Sequence, residues 1–165
     1  MTTLRISILQ ETPGDAADIE RLNDRAFGPG RFSRSAERVR EETAHEPALS
    51  FTARVATLLV GSVRQTPILI GTAKALMLGP LAVEPAFRSR GIGRQLMDRA
   101  IAEAVANGYR LVLLVGDEAY YGRMGFRRVP PGSIILPGPV DPQRILLWAA
   151  DEDVRASARG PVRGA

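Results

Sequence analysis

The chain opens on a two-residue alternation. Leu4-Arg5-Ile6-Ser7-Ile8 places apolar and polar residues in turn and predicts a strand. After Pro13-Gly14-Asp15 the period lengthens: Ala16, Ile19, Leu22, Asn23 and Ala26 recur at helical spacing until Gly28-Pro29-Gly30 ends the segment. A second, charged helix is expected over residues 34–44, with Ser33 as N-cap, Glu37 suited to the helix dipole, and His45 and Pro47 at its end. From Leu49 to Val83 the texture changes to short apolar runs between small turns. Leu49–Val55, Leu58–Ile70 and Ala75–Val83 read as three consecutive antiparallel strands, the last two joined by Gly71-Thr72-Ala73-Lys74.

Helical period returns over residues 94–106, where Leu96, Met97, Ala100, Ile101, Ala104 and Val105 form one broad apolar stripe that Asn107-Gly108 closes. Leu111–Val115 is apolar throughout, as a strand covered on both faces would be. A short helix is expected from Glu118 to Met124, and Phe126–Val129 begins another strand. Residues 130–142 hold five of the twelve prolines, which predicts a long extended loop. Arg144–Ala150, containing Trp148, reads as the last strand. Beyond Asp151 no packing pattern is visible, so one domain is expected over residues 1–151 and a flexible tail over 152–165. The alternation of strands and flanking helices is α/β in a broad sense, with a mostly antiparallel start.

Composition narrows the chemistry. A chain of 165 residues with 45% hydrophobic and 24% charged residues is long enough and apolar enough to bury a core. It has no cysteine, which removes disulfides, thiol nucleophiles and thiolate metal sites together. His45 is the single histidine, so neither a histidine-based zinc site nor a Ser-His-Asp triad is favoured, and no metal is expected. No apolar run reaches the roughly 18–20 residues of a membrane span, and the first residues lack the apolar core of a signal peptide. A cytoplasmic protein without a membrane partner is expected. The net charge of +4 and a pI near 10.3 suit an anionic ligand. Acidic residues are interleaved with the arginines, however, and no recognisable reading helix or row of exposed aromatics accompanies them, so nucleic acid is not favoured as a partner.

The residues that change the picture are in Leu81–Ala100, "LAVEPAFRSRGIGRQLMDRA". An apolar strand leaves through Arg88, Ser89, Arg90, Gly91, Ile92, Gly93 and Arg94 and enters a helix at once. Glycines let the backbone turn tightly, and the unpaired N–H groups of a first helical turn point at negative charge. A nucleotide-triphosphate loop would need Gly-Lys-Ser/Thr, and Arg94-Gln95 follow Gly93 instead. A dinucleotide fingerprint would need a third glycine where Leu96 stands. Upstream, Gly79-Pro80 interrupts the same strand, and proline cannot donate a ladder hydrogen bond. That strand is therefore expected to part from a neighbour and leave main-chain groups for something extended to pair with.

"LGPLAVEPAFRSRGIGRQLM" resembles the acetyl-CoA signature of the GNAT (general-control-related) superfamily of N-acetyltransferases. The pattern of arginine or glutamine, two residues, glycine, one residue, glycine or alanine is matched by Arg88, Gly91 and Gly93. "VLLVGDEAYYGRMGFRRV" is similar to the family's later strand and short helix, with Tyr121, Gly125 and Phe126 filling its tyrosine-to-Gly-Phe pattern. The resemblance implies a single-domain fold with a central, mixed, mostly antiparallel twisted sheet of about six or seven strands. About four helices would flank it, and it would be splayed at the fourth and fifth strands. It implies acetyl-CoA as cosubstrate, with the amides of Arg88 to Arg94 on the pyrophosphate and the main chain of Leu81, Ala82 and Val83 along the pantetheine. The slot for that arm would open toward Leu111–Val115.

The resemblance also assigns Tyr121 as general acid for a leaving thiolate, with Tyr120 as a buried partner. The glutamate that several members carry before the phosphate loop has no counterpart, since Met77 and Leu78 stand there. Water, Glu41, Glu42, His45 or Asp117 remain open as base, though each also reads as solvated surface, helix end or N-cap. The acceptor, a small-molecule or protein amine, would be shaped by Phe27–Ser35, where Arg31 and Arg34 lie, and by the proline-rich loop. A homodimer is compatible with the resemblance. A CoA-binding sensor without appreciable catalysis is the competing reading.

Overall fold

The computed structural model describes residues 5–28 and 35–165, with side chains given outside 35–37. The expected N-cap Ser33, the Pro29-Gly30 stop, and Arg31 and Arg34 lie outside the described residues. The opening alternation forms β1 (Ile6–Gln10), two residues later than its pattern suggested. Helix α1 (Ala16–Phe27) follows and ends at Gly28, whose φ of 73° favours glycine. Helix α2 covers Ser35–Glu42. Strands β2 (Phe51–Val55), β3 (Leu58–Ile70) and β4 (Ala73–Val83) are the expected meander; Pro47–Leu49 winds into a 3-10 turn rather than starting β2.

Helix α3 (Ile92–Ala106) and β5 (Leu111–Val115) come next, then the short α4 (Glu118–Tyr121) continued by a 3-10 turn. Strands β6 (Arg127–Arg128), β7 (Ile134–Ile135) and β8 (Ile145–Ala149) complete the region expected to hold only two strands and a loop. The proline-rich segment thus contains β7, which pairs in parallel with a strand formed by the last residues of the chain.

Those last residues are not a flexible tail. Helix α5 (Glu152–Ser157) is capped by Asp151, which accepts from the Val154 N–H at 2.8 Å, and β9 (Gly160–Gly164) pairs with the end of β3 through Ile68, Leu69 and Ile70. The reason is physical: β9 is held by main-chain hydrogen bonds, while Gly160, Pro161, Arg163 and Gly164 give it no side-chain alternation. Val162 alone sinks into the core beside Ile68 and Ile70.

The path through the sheet is β1-β2-β3-β4-β5-β8-β6, with β9 extending the β2 side of β3. All neighbours are antiparallel except β4 with β5 and β7 with β9. Helix α3 covers one face, burying Ile92, Leu96, Met97, Ala100 and Ala104 against Phe51, Val60, Leu76 and Val112. It sits so close at Gly61 that a Cβ there would stand 2.9 Å from Leu96 Cδ1. The buried Gln65 side chain ties the two layers, its Nε2 donating to the carbonyls of Leu49 (2.8 Å) and Ala100 (3.0 Å). On the other face α1 packs Ile19 and Leu22 on Leu59 and Ala82, and α2 packs Val39 on Ile68, Ile70, Ala75 and Met77. Val105, assigned to the apolar stripe, is 52% exposed. No helix among the described residues is long and apolar enough to cross a membrane.

Because Val162 is only 5% exposed, Val162→Ala removes both γ-methyl groups from a packed site. Urea denaturation should register a loss of roughly 2 kcal/mol; no change would mean that β9 does not contribute to the core.

Candidate active site

The site begins where β4 and β5 separate. They pair only at Leu76 with Val112 and Met77 with Leu113. Immediately beyond, β4 bulges: Val63 faces Leu81 and Gln65 faces Leu78, so Gly79 and Pro80 together oppose Arg64. Gly79 adopts φ of 127°, and Pro80 has no N–H for a ladder. The expected splay of the fourth and fifth strands is thereby present. Leu81, Ala82 and Val83 remain paired with β3 through Val63, Ser62 and Gly61, while the alternation of the ladder aims every second main-chain group away from β3.

A cleft of about 670 Å³ fills the separation. One wall is Leu78, Gly79, Pro80 and Leu81 of β4, and the other is Leu114 and Val115 of β5 with Gly116 after it. Phe27 and Arg40 close it from the side of α1 and α2, and Pro139, Val140, Asp141 and Arg144 from the proline-rich segment. Asp117, Tyr120 and Tyr121 form its floor near α4. The lining joins apolar walls to a few convergent polar groups, the ordinary make-up of a small-ligand site.

At the far end of β4 the chain makes a 3-10 turn over Pro85–Phe87 and then the glycine–arginine loop. Arg88 is extended, Ser89 takes φ of 64°, and Gly91, with φ of 79°, is the N-cap of α3. Arg88, Ser89, Arg90 and Gly91 are exposed, and the first-turn N–H groups of Ile92, Gly93 and Arg94 sit at the positive end of a 15-residue helix. Arg90 stacks over the Phe87 ring at 5.7 Å, and Arg94 reaches Asp98 at 3.0 Å.

Both tyrosines line the cleft, and Tyr120 is the one whose burial differs from expectation. Tyr121 is the mostly covered ring, in edge contact with Phe126 at 6.2 Å and Tyr120 at 4.8 Å. Burial pushes its phenol up to about 12, aided by neighbouring Tyr120 and Asp117 and opposed by Arg144. Tyr120, expected to be the buried one, is 38% exposed and spans the space toward α3: a Cβ on Gly93 would stand 2.6 Å from its hydroxyl. The tandem tyrosines lie on a single turn of α4, and which one faces the core depends on how that turn is seated, which spacing alone does not encode.

Of the four candidate bases, only Asp117 reaches the cleft. Its carboxylate caps α4 by accepting from Ala119 N–H at 3.0 Å. His45 is engaged elsewhere, 2.6 Å from Glu11, which also receives Arg64 Nε at 2.9 Å. Burial disfavours the Glu11 carboxylate, but the hydrogen bonds from His45 and Arg64 outweigh it and hold the group below the usual range. Glu41 is exposed, and Glu42 accepts from the Gly164 N–H at 3.2 Å. Met77 and Leu78 are buried, so β4 offers no carboxylate at that level. Sequence reading missed Arg40, Asp141 and Arg144, which topology alone brings to the cleft; only Asp141 carried a signal, as an N-cap before Pro142.

Residues 48–128 match the family model described as an acetyltransferase (GNAT) domain. The chain is 35% identical over 122 residues to the uncharacterized N-acetyltransferase YjhQ of Escherichia coli, covering 68% of this chain and 64% of that one. It therefore spans somewhat less than two thirds of that relative's length. The uncharacterized N-acetyltransferase YhbS of Escherichia coli is 30% identical over 118 residues, covering 70% of each. The crystal structure of YhbS in complex with CoA superposes with a TM-score of 0.82 over 100% of this chain and 92% of that one, at 24% identity. A GNAT acetyltransferase from Brucella melitensis in complex with acetyl-CoA gives a TM-score of 0.63 at 30% identity, covering 90% of this chain and 98% of that one.

Gly116 leaves room for the Tyr121 ring: an added Cβ would overlap Cε2 and stand 2.8 Å from Cδ2. Gly116→Ala should therefore cost roughly 1–3 kcal/mol in urea denaturation and lower the pH at which the most resistant phenol ionises. Unchanged stability and an unchanged titration would contradict this placement of the ring.

Proposed function

The chain belongs to the GNAT acetyltransferase family, and from that premise we propose that it moves an acetyl group, or another short acyl group, from acetyl-CoA to an amine by direct attack. The observation that carries the reading is the parting of β4 from β5 at a bulge, immediately upstream of a glycine turn and a helix N-terminus. A long ligand with amide groups at one end and phosphates at the other fits that order. Main-chain groups of Leu81, Ala82 and Val83 would hydrogen-bond the pantetheine arm as a strand would. The amides from Arg88 to Arg94 would hold the pyrophosphate, with arginine side chains adding charge-assisted contacts. The bound cosubstrate supplies the thioester carbonyl that the amine attacks.

The nitrogen–carbon bond forms, the carbon–sulfur bond breaks, and the proton lost by the amine balances the one gained by the sulfur. Tyr121, protonated at neutral pH because its phenol is pushed up to about 12, lines the cleft and would be the group to meet the leaving sulfur. Against a thiol near 8.5, complete transfer from such a phenol is uphill by about 5 kcal/mol. Tyr121 therefore acts first as a hydrogen-bond donor to the developing thiolate. Its proton passes over as the attacking nitrogen, now acidic, gives up its own through water. No side-chain base is needed for an amine that arrives neutral. A CoA-binding protein without turnover remains the competing reading, favoured by Met77 and Leu78 where a carboxylate base would stand.

Calorimetric titration with acetyl-CoA should show micromolar binding that Gly91→Glu abolishes. Tyr121→Phe should keep that affinity and lower kcat by about 10²–10⁴. In the parent protein kcat should not fall through tyrosine ionisation between about pH 8 and 10, because the phenol stays protonated there. Full activity in Tyr121→Phe would remove the acid role, and absence of binding would remove the transferase reading.

A further inference from the structure

The acceptor half of the cleft carries charges of both signs, and they are not equally occupied. Asp117 and Asp141 each turn a carboxylate oxygen back onto the main chain, accepting from Ala119 N–H at 3.0 Å and Gln143 N–H at 2.9 Å. The guanidinium of Arg144, on the wall contributed by the segment entering β8, is exposed, and among the described residues no hydrogen bond or ion pair engages it. Its charge is felt at Tyr121, whose ionisation it favours. Across the cleft, half-buried Arg40 of α2 lies against the β4 bulge: a Cβ on Gly79 would stand 2.7 Å from Arg40 Nη2. Two arginines thus line the one cleft, Arg144 close enough to act on Tyr121 and Arg40 at the bulge where β4 and β5 part.

Resting on the transferase reading above, we infer that the acceptor is a small amine carrying a carboxylate near its reacting nitrogen, an amino-acid-like zwitterion held by Arg144 and Arg40. A guanidinium matches a carboxylate with two parallel hydrogen bonds, so it fixes orientation as well as charge. With the carboxylate seated between the arginines, the nitrogen on the adjacent carbon faces the floor where Tyr121 lies. Asp117 and Asp141, on the same rim, balance the arginines and attract the ammonium form on arrival; that ammonium gives its proton to water before it attacks, so the neutral amine is the reacting form. The cleft of about 670 Å³ must also receive the acyl end of the cosubstrate, which leaves room for an acceptor of amino-acid size.

The test is release of free thiol from acetyl-CoA by the full chain, using matched pairs: each of a panel of α-amino acids against its own α-carboxamide. The carboxamide keeps the side chain and removes the negative charge. Its α-amine is also less basic and so more largely neutral at a given pH, which favours the amide, so an advantage of the acid reports the charge contact. The account expects at least one amino acid to exceed its amide in kcat/KM by roughly 10- to 100-fold, the range of a hydrogen-bonded charge contact. Arg144→Gln should cost that amino acid most of the advantage while affecting the amide far less, and Arg144→Lys should recover part of it. Amides turned over as well as the acids, or an Arg144→Gln loss equal for both, would overturn the inference and leave acetyl transfer standing. If acetyl-CoA binds and no amine of any charge is acetylated, the transferase reading fails and this one with it.

Discussion

Everything functional in this chain depends on one failed pairing. A β-sheet is stable because each strand satisfies its neighbour's main-chain groups, and β4 does so with β5 at only two positions, Leu76 with Val112 and Met77 with Leu113. The next residues cannot continue: Gly79 turns with a positive φ and Pro80 has no N–H to give. β4 remains a strand because β3 holds it on the other side through Leu81, Ala82 and Val83. The sheet thereby acquires an open edge inside its own body. Covering helices and loops turn that edge into a cleft instead of a surface groove.

The rest of the fold keeps the opening fixed. Helix α3 must begin where β4's turn ends, so that its free N–H groups face the line of the open edge. Close contact at Gly61 and the Gln65 bridge to Ala100 set that helix against the sheet. Gly116 does the equivalent for the opposite wall, allowing the Tyr121 ring to lie on the backbone after β5. That ring is shielded enough to stay protonated far above neutrality. In the proposed mechanism the same desolvation would limit it to donating a hydrogen bond until the attacking nitrogen becomes acidic. One environment would thus set both the protonation state and, in that mechanism, the timing of the proton.

Strands from Phe51 to Val83 and the buried β5 were legible in the sequence as apolar runs between turn residues, and α3 by its helical period. The glycine–arginine turn and the Tyr121 pattern were legible because their spacing is local. What escaped was non-local or written in the main chain. β9 is held by hydrogen bonds through glycine and proline positions that carry no alternation, so the last residues looked like a tail. Arg144 and Arg40 are separated by about a hundred positions and come to line one cleft only through the placing of α2 and the entry to β8. Tyr120 and Tyr121 are adjacent, and the sequence is silent on which one the core takes.

The central claim is that the open edge of β4 is a pairing surface for an extended ligand continuous with the loop beyond it. Amide hydrogen exchange with and without saturating acetyl-CoA tests it directly. The account predicts slowed exchange in Leu81–Val83 and in Arg88–Arg94 together, with β1 and β2 unchanged. Protection confined to the loop, or absent from both segments, would mean that the parting of β4 and β5 is not where the ligand lies.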